Sequence, residues 1–153
     1  MATDGEEWRL LLKLLSEQSF GVLGTNRRGH PYASLVAFAA SAEARFLHFA
    51  TTRATRKYLN LAADDQVALL VDSRTGQALP LYEAAAVTAY GTAREVAGAE
   101  HAEVLESYLA RHPQLKTFVS SPTTALFSIE VECYHLVQRF QNVTEFRMNR
   151  CTG

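Results

Sequence analysis

The sequence predicts a mainly β (α+β) domain: an antiparallel barrel of six to seven strands with helices on its flanks. Three observations carry that reading. Six or seven short segments rich in β-branched, aromatic or alternating residues are separated by turn residues, whereas only three stretches have the 3.6-residue apolar spacing of a helix. Gly91 stands inside a long strand-like segment, where a glycine suits a bend at a barrel corner. The chain has 153 residues, 48% hydrophobic and 20% charged, which fits one domain over 1–153 with a real core. A formal net charge of -1 gives no broad field for nucleic acid or an anionic membrane.

Taken in order, Thr3 and Glu6 are spaced as a capping box, and Trp8, Leu11, Leu12 and Leu15 then form one buried helical stripe. Phe20 to Thr25 and Pro31 to Ala40 read as a hairpin around the turn residues 26–30, the second strand apolar or small on both faces. Phe46 to Ala50 is a strand and Arg53 to Ala63 a helix; Asp64 and Asp65 form the turn into a strand from Val67 to Asp72. Ser73 to Glu83, with Gly76 and Pro80, is the candidate for a mobile covering segment. Ala84 to Val96 is the long bending strand, and Gly98 to Arg111 a surface helix burying Val104, Leu105, Tyr108 and Leu109 before Pro113 closes it. Ala125 to Phe140 alternates as a strand, and Val143 to Phe146 is another.

The chemistry concentrates at the strand-to-helix turn. Thr51 and Thr52 fall where a threonine can cap the helix, and the free N–H groups of its first turn would be joined by hydroxyls on Thr51, Thr52 and Thr55 and by cations on Arg53, Arg56 and Lys57. Either this is a phosphate cradle, or it is a capped amphipathic helix with a solvated basic first turn. The small residues Ala33, Ser34, Ala37 and Ala39 pose a similar choice, between room for a flat ring and a tight fit to a neighbouring element.

Other chemistries lack their signatures. His30, His48, His101, His112 and His135 show no HxH or HExxH spacing, so no metal site is expected and the histidines read as structural or solvated. No serine has the G-x-S-x-G setting, and there is no Rossmann glycine motif or Walker sequence. Cys133 and Cys151 read as free thiols. Glu6 and Glu7 precede the first apolar run, and no run approaches the roughly 20 residues of a membrane span. The expected compartment is the cytoplasm.

The ordered set G-V-L-G-T at Gly21 to Thr25, G-H-P-Y-A-S-L-V at Gly29 to Val36 and F-A-T-T-R-A-T-R-K-Y-L-N-L at Phe49 to Leu61 resembles the pyridoxamine 5'-phosphate oxidase-related FMN-binding split barrels. V-A-L-L-V, A-Y-G-T-A, Y-L-A-R-H-P and F-Q-N-V extend the likeness toward the general flavin and heme-utilisation relatives, not the vitamin oxidase itself. The resemblance implies a split β-barrel and an FMN pocket completed by the partner in a homodimer. It assigns the flavin ring to the strand carrying Ser34, Leu35, Val36, Ala37 and Ala39, and the phosphate to Ala50, Thr51, Thr52, Thr55, Arg56 and Lys57.

The departures from the oxidase are as informative. It has basic residues where this chain has Ser34 and Ala39, a glutamine where this chain has Ala86, and an Arg-x-His element where the tail reads E-F-R-M-N-R. The substrate phosphate of the oxidase would lose its cationic partners here. The resemblance, with these departures, therefore implies an FMN-dependent oxidoreductase of unknown substrate with no catalytic residue assigned. The alternatives are a flavin- or ligand-binding module without turnover, such as a stress protein, and a deazaflavin-dependent reductase on the same fold. Heme binding is not implied, because the heme-handling relatives carry additional C-terminal sequence.

Overall fold

The computed structural model describes residues 5–73, 84–139 and 142–148. Along the chain run α1 (Glu6–Glu17), β1 (Phe20–Arg27), β2 (His30–Ala40), β3 (Phe46–Thr52), α2 (Arg56–Ala63), β4 (Gln66–Asp72), β5 (Ala85–Glu95), α3 (Ala99–Arg111), a 3₁₀ turn (Pro113–Leu115), α4 (Lys116–Ser120), β6 (Thr124–Gln138) and β7 (Asn142–Arg147). The strands pair in the order β3-β2-β1-β4-β5-β6, and β3 also pairs with β6, so six antiparallel strands close a barrel; β7 adds to the outer edge of β6. The predicted fold class is the observed one.

Local chemistry explains most boundaries. β1 and β2 are joined by two residues, Arg28 and Gly29, both at positive φ (53° and 81°). A two-residue turn of that hand matches the twist of the strands it joins, so both strands run further into 26–30 than the turn residues suggested. Gly91 lies where β5 crosses β6, and a Cβ there would meet the Glu130 carbonyl oxygen at 2.1 Å. The pairing register shifts between Tyr90 and Gly91, so the bend expected at this glycine is a bulge that brings two backbones together.

α1 begins after Gly5 with no side-chain cap; Thr3, the expected capping residue, lies outside the described residues. Its stripe is Leu11, Leu14 and Leu15, with Trp8 and Leu12 partly buried against the same core. Residues 74–83, expected as a covering segment, and Phe140 also lie outside the described residues, although Ser73 and Ala85 bond across the base of the former. The sequence missed α4, whose Val119 joins α3 in a second core.

Two cores result. One fills the barrel and the seat of α1, including Leu23, Phe38, Phe49, Leu69, Ile129 and Leu136. The other lies outside the barrel wall, where Ala39, Ala50 and Leu126 meet Val104 and Tyr108 of α3 and Val119 of α4. β2 is not buried on both faces as expected: residues 30–33 are exposed, and Leu35 is 66% exposed.

Candidate functional site

β2 and β3 run together only over Phe38–Ala40 and Leu47–Phe49. Beyond that, Ala50, Thr51 and Thr52 pair with Leu126, Ala125 and Thr124 of β6, while the first half of β2 pairs with β1. The facing edges of β2 and β3 thus part. The point of parting is pinned from outside, because the Tyr108 hydroxyl donates to the Ala37 carbonyl at 2.9 Å and His112 Nε2 lies 2.7 Å from the Phe38 carbonyl oxygen. Tyr108 is buried and its hydroxyl is pushed up to about 12 by desolvation, so it remains a donor across the physiological range.

The strand-to-helix turn follows β3. Its helix starts at Arg56, not Arg53, and the cap is Thr55: Thr55 Oγ1 accepts from the Tyr58 N–H at 3.1 Å. Thr51 and Thr52 belong to β3, and neither caps the helix. Thr51, only 2% exposed, nevertheless joins the cap, since its hydroxyl and that of Thr55 lie 2.8 Å apart. The Thr52 carbonyl lies 3.2 Å from each of these hydroxyls. Thr55 satisfies the N–H groups of Tyr58 and Leu59, leaving those of Arg56 and Lys57 pointing out of the first turn without a partner among the described residues. α2 is held to the barrel by buried Asn60, whose side-chain amide donates to Thr25 Oγ1 at 3.1 Å.

The three cations separate. The Arg53 guanidinium pairs with Glu95 at 2.7 Å and donates to the Tyr58 hydroxyl at 3.2 Å, so it braces α2 against β5 instead of joining the cradle. Arg56 lies over the Tyr32 ring of β2, 5.7 Å from its centroid, and so bridges the two sides of the opening. Lys57 is half-buried and has no hydrogen-bond or ion-pair partner among the described residues; desolvation holds its ammonium below the usual lysine range.

Alternation divides the β2 candidates. Val36 packs in the barrel core, and the Ser34 hydroxyl is buried without a hydrogen-bond partner among the described residues. Leu35 is on the outer surface, Ala37 is half-buried, and Ala39 is packed in the second core. Ala50 is likewise in the second core, so the side chains of Ala39 and Ala50 serve packing. The described residues also have a 620 Å³ cleft between α1 and α3, lined by Arg9, Lys13, Ser41, Ser107 and Arg111. Its Arg111 is already bound to the carbonyls of Ser16 and Gln18 at the end of α1. We place the site at the parted strands, where a cation and helix-start N–H groups are unspent.

Spacing of the histidines missed one cluster. Cys133 and His135, two apart on β6, stand beside Glu145 of β7, and their donor atoms all lie within 4.8 Å of one another. The strand pairing that brings Glu145 opposite His135 has no local sequence signal.

A closed six-stranded barrel whose second and third strands part beside a helix start defines the class: a split barrel. The chain belongs to the pyridoxamine 5'-phosphate oxidase family, since residues 8–138 match the family model described as Pyridoxamine 5'-phosphate oxidase. Similar solved structures include a heme binding protein from Mycobacterium smegmatis (TM-score 0.78, 19% identity, 88% of this chain and 55% of that one). Others are the heme storage protein HutZ from Vibrio cholerae (TM-score 0.71, 17% identity, 81% and 89%) and a FAD-binding protein from Mesorhizobium loti (TM-score 0.64, 16% identity, 82% and 89%). This chain therefore spans little more than half the length of the mycobacterial protein. At these identities the likeness is one of fold. Among curated proteins, none matches. No described helix is long and apolar enough to cross a membrane.

Proposed function

We propose that this chain is an FMN-binding flavoprotein, an oxidoreductase whose flavin lies at a homodimer interface. The observation that carries the reading is Lys57: a half-buried cation at a helix start, without a partner among the described residues, beside the linked hydroxyls of Thr51 and Thr55. Burying an ammonium without a partner costs free energy, and a phosphate dianion is the partner that would repay it. The residues fit the group. Thr51, Thr55, Lys57, Arg56 and the free N–H groups of the first turn of α2 would hold the phosphate, and the backbone of β2 from Ser34 to Ala37 would run beside the ring.

The flavin would supply the electron transfer. What the chain supplies is position: α2 is fixed by Asn60 and Arg53, and the free edge of β2 is fixed by Tyr108 and His112. A second copy is supported by the outer face of β1, β2 and β4, where Val22 is paired with both Leu35 and Leu70, and Phe20 is 57% exposed. Such a patch is more apolar surface than a solitary barrel needs to show water.

A flavin-binding module without turnover is the second reading, favoured by the two positions where the oxidase is basic. Ser34 carries no charge, its hydroxyl being without a hydrogen-bond partner among the described residues, and Ala39 is packed in the second core, so neither supplies the cation that would pair with an anionic substrate. The heme proteins among the similar structures make hemin a competing ligand, and a deazaflavin is a third.

Titration separates these. FMN should bind wild type more tightly than riboflavin, hemin or a deazaflavin, and Lys57→Ala should weaken FMN about tenfold to a hundredfold, the loss of one charge-assisted hydrogen bond. Riboflavin should be indifferent to the substitution. Equal losses for FMN and riboflavin, or tighter binding of hemin, would remove the proposal. Reoxidation with turnover of a reduced nicotinamide donor would decide for the enzyme over the module.

A further inference from the structure

Beyond its bulge, β6 pairs with β7 so that Cys133 faces Arg147 and His135 faces Glu145. Residues two apart on a strand share a face, so the thiol and the imidazole stand side by side, with the carboxylate across from them. Glu145 Oε2 is the hub: it lies 3.3 Å from Cys133 Sγ and 4.0 Å from His135 Nε2. Tetrahedral zinc, with bonds of about 2.3 Å to sulfur and about 2.0 Å to nitrogen or oxygen, sets its ligand atoms roughly 3.3–3.5 Å apart. The observed separations need only small side-chain adjustments to reach that geometry.

We propose that Cys133, His135 and Glu145 form a binding site for one divalent transition-metal ion of the zinc class, with water in the fourth position. A thiolate with an imidazole selects a borderline-soft ion over magnesium or calcium, which prefer oxygen alone. The Tyr90 ring meets the His135 ring edge-on at 4.9 Å and limits its rotation. His135 and Glu145 are each about two-fifths exposed, so an ion and its water can enter from solvent. Arg147 now sits 2.9 Å from Glu145 Oε2 and competes for it, but its side chain is 77% exposed and can swing away as the ion arrives. On binding, Cys133 gives its proton to solvent and its sulfur bonds the metal. The ion would tie β7, an edge strand, to the barrel.

Cobalt(II) is the probe, because a cysteine thiolate bound to it gives a near-ultraviolet charge-transfer band and a tetrahedral site gives strong visible bands. Full-length protein freed of metal should take up one cobalt per chain with both signatures, and zinc should displace it. Cys133→Ser should lose the charge-transfer band, and Cys133→Ser and His135→Ala should each weaken cobalt at least tenfold. Cys151→Ser, which removes the other thiol, should leave band and affinity unchanged. Circular dichroism in chelator checks that each variant is folded; if Cys133→Ser is not, His135→Ala and Glu145→Gln decide. A wild type without the thiolate band, a Cys133→Ser variant that binds as wild type, or displacement of cobalt by millimolar magnesium would overturn the assignment.

Discussion

The hydroxyl of Tyr108 on α3 donates to the main-chain carbonyl of Ala37, 71 residues away, at the place where β2 leaves β3. A helix outside the barrel thus fixes an otherwise free strand edge. Tyr108→Phe keeps the ring in the second core but leaves the carbonyl without its partner. The expected cost is about 1–3 kcal/mol by urea unfolding, with the far-UV spectrum unchanged. A loss within about 0.5 kcal/mol would mean that water replaces the hydroxyl.

Lys57 should show opposite effects on stability and on binding. Its folded pKa lies below that of the unfolded chain, so between the two the unfolded state holds more protons. Stability therefore rises as pH passes up through the folded value toward 10.5, and below that window the full burial cost is felt. Lys57→Met removes the cost. At neutral pH the ligand-free variant should melt higher than wild type by on the order of 1–2 °C, while binding FMN less tightly. A calorimetric scan in which the ligand-free variant melts lower would show that Lys57 supports the fold.

His48, in β3, carries the acid-side signature. Burial lowers its pKa below 6.5; Glu100 opposes the shift and Arg94 adds to it. Among the described residues its Nδ1 has no hydrogen-bond partner, and neither has the hydroxyl of Ser128, the opposing residue on β6. Below the folded pKa both states are charged and the folded one bears the desolvation cost; between that pKa and 6.5 stability rises with pH. His48→Gln should flatten the dependence of the urea midpoint in that window. An unchanged slope would assign the acid sensitivity elsewhere.

Leu35 tests the outer face. Its side chain is 66% exposed in one protomer, so Leu35→Lys should change protomer stability by no more than about 0.5 kcal/mol. Light scattering at micromolar concentration should find wild type dimeric and the variant shifted to monomer. A wild type that is monomeric with flavin bound would contradict the homodimer.

What the sequence disclosed was local. The Arg28-Gly29 turn, the bend at Gly91 and the strand-to-helix turn each depend on a few neighbouring residues, and each stands where the patterns put it or within a few positions. With threonines at 51, 52 and 55, propensity could not choose the cap; the longer β3, held by its pairing with β6, decided for Thr55. Position alone groups Arg53 with the cradle, because its partner, Glu95, comes from β5. Tyr108 with Ala37, and Cys133 with His135 and Glu145, likewise depend on registers that no single segment encodes.

The closure of the barrel through β3 and β6 also fixes an order of events during synthesis. β1 and β2 can pair as soon as they leave the ribosome, but one edge of β3 must wait for a strand that begins roughly seventy residues later in the chain. At ordinary elongation rates that delay lasts several seconds, and meanwhile the half-made chain offers an unpaired apolar edge to any other strand nearby. The threonine end of that edge carries the proposed phosphate cradle, so the cradle cannot take its final form until β6 has been made.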